Sequence, residues 1–498
     1  MKAILWFSVM LAAALYICGP VIDPDLWWHI TAGRWILANQ AIPHVDYWNM
    51  FGAGKPWRAY SWSVEVLFAW VDSHFDIRGL LILQMGMAVL VSFSLFYCLG
   101  KISRDWFVGA LLGLWATLGC FNHFTLRPQT LVWVYFIWLI LVVDSIETRG
   151  ASRGRFAALF LIMVLWANTH LTSALAILTI VGWLWRKDHV KQALQAGGFA
   201  FLGSLVTPYL GGEWITLFMK SGHPFQHQDI AEFQSATIMQ YSTAFLIIIL
   251  VVMLAFLHHR PKTVHVAKLF VAALFVAAGL AIVKFLPFAI IYCAAVVAAI
   301  WHSERADRRV LGNLSEAVER FRAGFHKIPR EGLSFVCICL AIMYAVRPWR
   351  EPLNYDIVPV AAVDFMQKKD LPLPILNEFG RGGYLMYRYS DAAGNPRYLV
   401  PIDGRTNVTP HDVFGEFEAA LTGKYNWKSY LDRVKPETIL WPTESPLVAI
   451  LLEGTAWCQV FATGDKEMGY TVFVKRSYWE KHQDDLESTN CKSDIAVP

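Results

Sequence analysis

Charge is what this 498-residue sequence has least of: 16% of its residues are Asp, Glu, Lys or Arg, whereas 56% are hydrophobic. An ordinary soluble domain carries roughly a quarter charged residues, so the composition argues against a purely soluble, disordered or nucleic-acid-binding protein. Cysteine is scarce as well, eight in all, and no Cys-x-x-Cys pair stands out for metal or redox work. Phosphate-cradling loops are missing too. Gly52-Ala-Gly-Lys55 lacks the rest of a P-loop, and no dinucleotide-binding glycine pattern or internal repeat is present. Gly380-Arg-Gly-Gly383 reads as turn-forming glycines before a strand.

Long apolar runs are present instead. About eleven segments approach the ~20 residues of a membrane span, near 3–19, 79–99, 106–122, 129–146, 156–168, 171–185, 195–208, 242–257, 267–282, 285–301 and 333–348. Residues 1–348 hold 27 basic and 18 acidic residues, while the 150 residues from 349 hold 16 and 21. The sequence therefore divides into a membrane domain, 1–348, and a soluble domain, 349–498. The second alternates strand-like runs (Tyr384 to Tyr389, Arg397 to Ile402, Thr438 to Trp441, Gln459 to Ala462, Tyr470 to Val474) with helical ones (Val360 to Lys369, Val413 to Thr422, Trp427 to Val434, Leu447 to Glu453), which predicts a small α/β core.

With a cytoplasmic N-terminus, 19 of the 27 basic residues of the membrane domain fall in cytoplasmic loops, as the positive-inside bias requires. An odd span number then puts residues 20–78 and the soluble domain outside the cytoplasm. No small-residue cleavage site follows the first apolar segment, so it reads as an uncleaved helix. Residues 302–332, with seven basic residues, predict an amphipathic helix on cytoplasmic anionic lipid. Of the eight cysteines only Cys458 and Cys491 lie in the soluble domain; an oxidising compartment predicts a disulfide between them.

Ionisable residues at a membrane boundary are costly and point to function. The densest set follows the first helix: Asp23-Pro24-Asp25-Leu26-Trp27-Trp28-His29 through Gly33-Arg34-Trp35-Ile36-Leu37. Asp23 as N-cap and Pro24 in the first turn predict an interfacial helix from Pro24 to Leu37, with Asp25 and His29 sharing a face. The loop continues with His44, Asp46, Lys55, Trp57 and Arg58, then a second amphipathic helix with Glu65. Aromatic faces stack on sugars and carboxylates take hydroxyl protons or bind a metal, so this loop reads as a sugar or phosphate site.

An aspartate pair just after the first span, followed by an interfacial helix, resembles the GT-C superfamily of polytopic glycosyltransferases, which use polyprenyl-phosphate-linked sugars. The sequence is most similar to bacterial multi-spanning proteins that share Asp-Pro-Asp-Leu-Trp-Trp-His (Asp23 to His29), Gly-Arg-Trp-Ile-Leu (Gly33 to Leu37), Ile-Pro-x-x-Asp (Ile42 to Asp46), Lys-Pro-Trp (Lys55 to Trp57) and Glu65. Arg127-Pro128, Trp166-x-Asn168-x-His170 and Asp403-Gly404-Arg405 extend the resemblance over most of the chain. In lipid A aminoarabinose-type transferases the first-loop motif is Asp-Glu with an Arg nine residues after the Asp. Asp25 and Arg34 keep that spacing, while Leu26 stands where the Glu would be.

The resemblance implies a mainly α membrane protein with about eleven transmembrane helices in a GT-C-like arrangement, interfacial helices in the first outer loop and a C-terminal α/β domain. It implies a bacterial inner-membrane enzyme with a periplasmic terminal domain, moving a sugar from a polyprenyl-phosphate donor to a glycan, lipid or protein acceptor. An inverting transfer needs a base and a cationic partner for the departing phosphate. Asp25 is the expected base, its proton affinity raised by burial against Trp27 and Trp28, with Asp23 and His29 in support; Asp23 and Asp25 could hold an optional Mg or Mn ion. Arg127, Lys284, Arg34 and Arg58 are the expected donor-phosphate cations. Asp46, Glu65, Trp28, Asn168, His170, Asp403 and Arg405 are the expected sugar or acceptor contacts. His223, His227, Asp229 and Glu232 have a metal-like spacing that loop histidines ordinarily leave unused. The alternative is a non-catalytic glycolipid-binding or transport component of a polysaccharide assembly system; transporters more often show repeated halves and polar mid-membrane breaks.

Overall fold

A computed structural model of the chain describes residues 2–220, 231–258, 264–304, 308–325, 327–463, 469–488 and 490–491. The chain forms two compact units, one of residues 1–21 and 75–352, the other of residues 22–74 and 353–498. This differs from a division at 348/349, because residues 22–74 fold together with the terminal domain.

The first unit is helical. Each of the eleven apolar segments lies on a helix, and among the described residues five helices are long and apolar enough to cross a membrane: Trp62–Ser103, Pro128–Arg149, Tyr241–His258, Val283–His302 and Arg330–Arg350. Four more apolar helices are shorter, among them Ile4–Tyr16 and Trp106–Gly119. Helix α1 (Lys2–Tyr16) lies against Arg330–Arg350 through Ala12, Leu15, Cys337 and Ala341. Small residues let such helices approach where lipid supplies no hydrophobic drive. Arg308–Phe325 is the expected amphipathic helix; its Arg322 pairs with Asp105 at 2.5 Å and its Phe325 stacks on Trp6.

The second unit is built on helix α2 (Leu26–Asn39), the first part of helix α3 (Trp62–Ser103) and a four-stranded sheet. Asp76, at φ 53°, breaks α3. Strands β1 (Ile375–Asn377), β2 (Thr438–Pro442), β3 (Trp457–Ala462) and β4 (Tyr470–Lys475) are ordered β1-β2-β4-β3, with β1 parallel to β2 and the remaining pairs antiparallel. Cys458 and Cys491 are disulfide-bonded, holding residues 490–491 to β3, where Gln459 bridges Asn490.

Two expected strands are not strands. Tyr384 to Tyr389 has β-favouring aromatics, yet Gly382–Arg388 is a helix. Tyr384 and Tyr387, one turn apart, both meet the ring of Trp27 at 4.9 and 5.0 Å, and that packing overrides propensity. The glycines before them are close-approach positions rather than turn formers: a Cβ on Gly382 would lie 1.9 Å from the Ile402 carbonyl oxygen, and one on Gly383 2.8 Å from that of Pro24. Arg397 to Ile402 carries one isolated bridge, Val400 to Asn49, with Pro396 just before it bridging Ser390.

Candidate active site

Helix α2 begins two residues later than the sequence predicts. Asp23 Oδ1 accepts the Asp25 N–H at 2.9 Å, and this local turn takes Pro24 and Asp25 out of the helix. Asp25 becomes the N-cap, its side chain making no cap hydrogen bond. Asp23 is buried at 2% exposure while Asp25 is half-buried. The Asp25 carboxylate lies directly on Gly404, where a Cβ would come within 1.9 Å of Oδ1. The Asp-Gly-Arg motif thus places its glycine, the one residue without a Cβ, against the expected base.

The flanking Asp403 and Arg405 form a buried charge cluster with Asp46. Arg405 donates to Asp403 Oδ1 and Oδ2 at 2.8 and 3.0 Å and to Asp46 Oδ1 at 2.5 Å. Asp46 Oδ2 accepts the N–H groups of Trp48 and Asn49, and Asn49 Nδ2 donates to Asp403 and Thr409. Trp28, Trp48 and Trp57 surround the guanidinium. Burial would lower the Arg405 pKa, but Asp403 and then Asp46 push it above its ordinary value, so the group stays charged. At 1%, 0% and 2% exposure, Asp46, Asp403 and Arg405 present no acceptor-binding surface. They hold residue 404 and the first outer loop together.

Two more pairs fix α2. His29 Nδ1 lies 3.0 Å from Glu65 Oε1, both groups buried, while Glu65 Oε2 is buried with no hydrogen-bond partner. Arg34 pairs with Asp72 at 2.7 Å and stacks over Tyr387; Tyr387 donates to Asp72 at 3.3 Å. Burial, then the Asp72 charge, pushes the Tyr387 hydroxyl up to about 12, keeping it a donor. Arg34 therefore has a carboxylate partner already. Trp28 is buried at 3% exposure, so its ring is core rather than a sugar platform, and Arg58 is half-buried in the loop before α3.

The remaining expected site residues lie in the other unit. Arg127 Nη1 donates to Glu232 Oε2 at 2.6 Å, and Lys284 Nζ lies 3.8 Å from Glu232 Oε1. Burial alone would raise the Glu232 pKa; Arg127 and Lys284 outweigh it and hold the carboxyl down at about 2. His123 is half-buried, its Nε2 shielded and without a hydrogen-bond partner among the described residues, and desolvation lowers its pKa to about 4 against the opposing charge of Glu232. Asn168 donates to the Val164 and Val206 carbonyls, and His170 Nδ1 accepts the Thr172 N–H as a cap; both have evident structural uses. Phe121, in the same short turn as His123, helps line an apolar cavity of about 450 Å³ with Tyr16, Leu118, Tyr241, Phe245 and Tyr344.

No family model and no curated protein matches the chain. Solved structures do. The apo oligosaccharyltransferase of Archaeoglobus fulgidus matches over 94% of this chain and 74% of its own, with TM-score 0.52 and 11% identity. The same organism's oligosaccharyltransferase AglB, in complex with an inhibitory peptide and a dolichol-phosphate, matches over 100% and 74% at TM-score 0.51 and 9% identity. A form tethered to an acceptor peptide containing the NVT sequon matches over 94% and 73% at 0.51 and 10%. The chain shares the fold of these archaeal oligosaccharyltransferases.

Within that fold the motif of residues 23–29 opens α2, and the terminal Asp-Gly-Arg closes on it. Among the described residues no group of three or more His, Cys, Asp or Glu is arranged to hold a metal. Asp23 Oδ1 accepts the Asp25 N–H, and no step is routed through a metal at the Asp23/Asp25 pair. His223, His227 and Asp229 lie outside the described residues. Sequence reasoning missed Asp72, Tyr387 and Asn49, each of which acts through a partner more than 300 residues away. It also missed Glu232 as the partner of Arg127 and Lys284.

Proposed function

We propose that the chain is a membrane glycosyltransferase that moves a sugar from a polyprenyl-phosphate donor to a glycan, lipid or protein acceptor on the outer face of a bacterial inner membrane. The observation that carries this reading is the half-buried Asp25, its carboxylate set against Gly404 by a buried charge cluster on a fold shared with oligosaccharyltransferases. Asp25 removes the proton of the acceptor hydroxyl as its oxygen attacks the anomeric carbon. The bond from that carbon to the phosphate oxygen breaks, and its electron pair leaves with the phosphate. Arg127 and Lys284, paired by Glu232, are read as the donor-phosphate cations, a use favoured for cations positioned before the reaction begins. The apolar cavity beside Phe121 suits a prenyl chain, and the Cys458–Cys491 disulfide suits an oxidising, extracytoplasmic compartment.

Support for a lipid-linked donor and a protein acceptor also comes from the dolichol-phosphate and acceptor peptide carried by the similar archaeal enzymes. The test is release of radiolabelled sugar from polyprenyl-phosphate donors by the purified protein in liposomes. Transfer that is lost in Arg127→Gln and Lys284→Gln supports the reading, and absence of transfer or hydrolysis with every donor contradicts it.

A further inference from the structure

Resting on the reading of Arg127 and Lys284 as the donor-phosphate pair, we infer that Glu232 is a built-in counter-anion of that site, which a lipid phosphate enters by displacing. One carboxylate bridges the two cations, with Oε2 on the Arg127 guanidinium and Oε1 toward the Lys284 ammonium. That is how two oxygens of a phosphate would be held. The three side chains keep 30% (Glu232), 22% (Arg127) and 16% (Lys284) of their surface exposed, so the bridge is open to exchange rather than sealed in the core.

The bridge is also not needed to fasten the segment that carries it. The Val283 N–H donates to the Gln234 carbonyl at 2.9 Å, and the Ala236 N–H to that of Leu280 at 2.8 Å. The Lys284 ammonium rests 4.1 Å over the Phe233 ring. The backbone of residues 234–236 is thus pinned beside Lys284 whether or not Glu232 is charged. The two cations stay in place without ligand and pay no reorganisation when a phosphate takes over.

The experiment measures binding of farnesyl phosphate to the full-length protein in detergent. Glu232→Gln keeps the shape and removes the charge, and it should tighten binding by about tenfold. Glu232→Asp, which withdraws the charge by one methylene, should tighten it less, and it serves if the Gln variant does not fold. Unchanged or weakened binding in the folded variants overturns the inference. Arg127→Gln separates the two levels: if it weakens binding while Glu232→Gln does nothing, the phosphate site stands and the counter-anion role falls. If Arg127→Gln also leaves binding unchanged, the phosphate site itself is wrong.

Discussion

Gly404 and Asp25, 379 positions apart in the chain, are so close that a methyl group on the glycine would overlap the aspartate carboxylate, at 1.9 Å from Oδ1. Such a contact makes the glycine a positioning residue for the base. Gly404→Ala should reduce sugar transfer by about a hundredfold, the order expected when a reacting group is displaced by about an ångström. The check is a kcat measurement on a variant whose elution profile and melting are near wild type. A fully active Gly404→Ala protein would show that Asp25 need not sit there.

The cluster of Asp46, Asp403 and Arg405 should act on stability first. Removing one partner leaves a buried charge uncompensated, at a cost of about 3–5 kcal/mol. Arg405→Gln or Asp403→Asn should therefore lower the melting temperature and expose the first outer loop to protease, before any effect on donor binding is considered. Limited proteolysis between residues 40 and 60 reads this directly.

Acid should destabilise the membrane unit in two stages. His123, held neutral with its pKa near 4 against an ordinary 6.5, costs stability as the unfolded chain protonates while the folded one does not, from pH 6.5 down to about 4. Glu232, depressed to about 2 from an ordinary 4.5, contributes stability that is complete above 4.5 and is lost as pH falls toward 2. Thermal unfolding followed between pH 7 and 3.5 should show both slopes, and His123→Phe should flatten the upper one.

The Cys458–Cys491 bond closes a loop of sequence separation 33. Such a crosslink contributes about 3–4 kcal/mol in the chain-entropy account. Cys458→Ser should loosen the tail from β3, seen as faster amide exchange across Gln459 to Phe461, with the membrane unit unaffected.

Much of this was legible in the sequence because its causes are local. Apolar length marks helices, Asp23-Pro24 marks a helix start to within two residues, and two cysteines in a polar domain pair. What was not legible depends on contacts between distant residues. Nothing near Arg34 announces Asp72 and Tyr387, so a cation expected to meet phosphate turned out to have a carboxylate. Nothing in the aromatic run from Tyr384 announces Trp27, whose ring makes a helix of an expected strand. Asp403 and Arg405 carry the resemblance yet lie in the core, and only the glycine between them meets Asp25.

The account's central claim is that Asp25 is the base. Its most direct test is single-turnover transfer from a radiolabelled polyprenyl-phosphate sugar by Asp25→Asn, measured beside donor binding. The account predicts a loss of at least a hundredfold in the rate of transfer, with donor affinity within about threefold of wild type. A folded Asp25→Asn protein that transfers at the wild-type rate would contradict it.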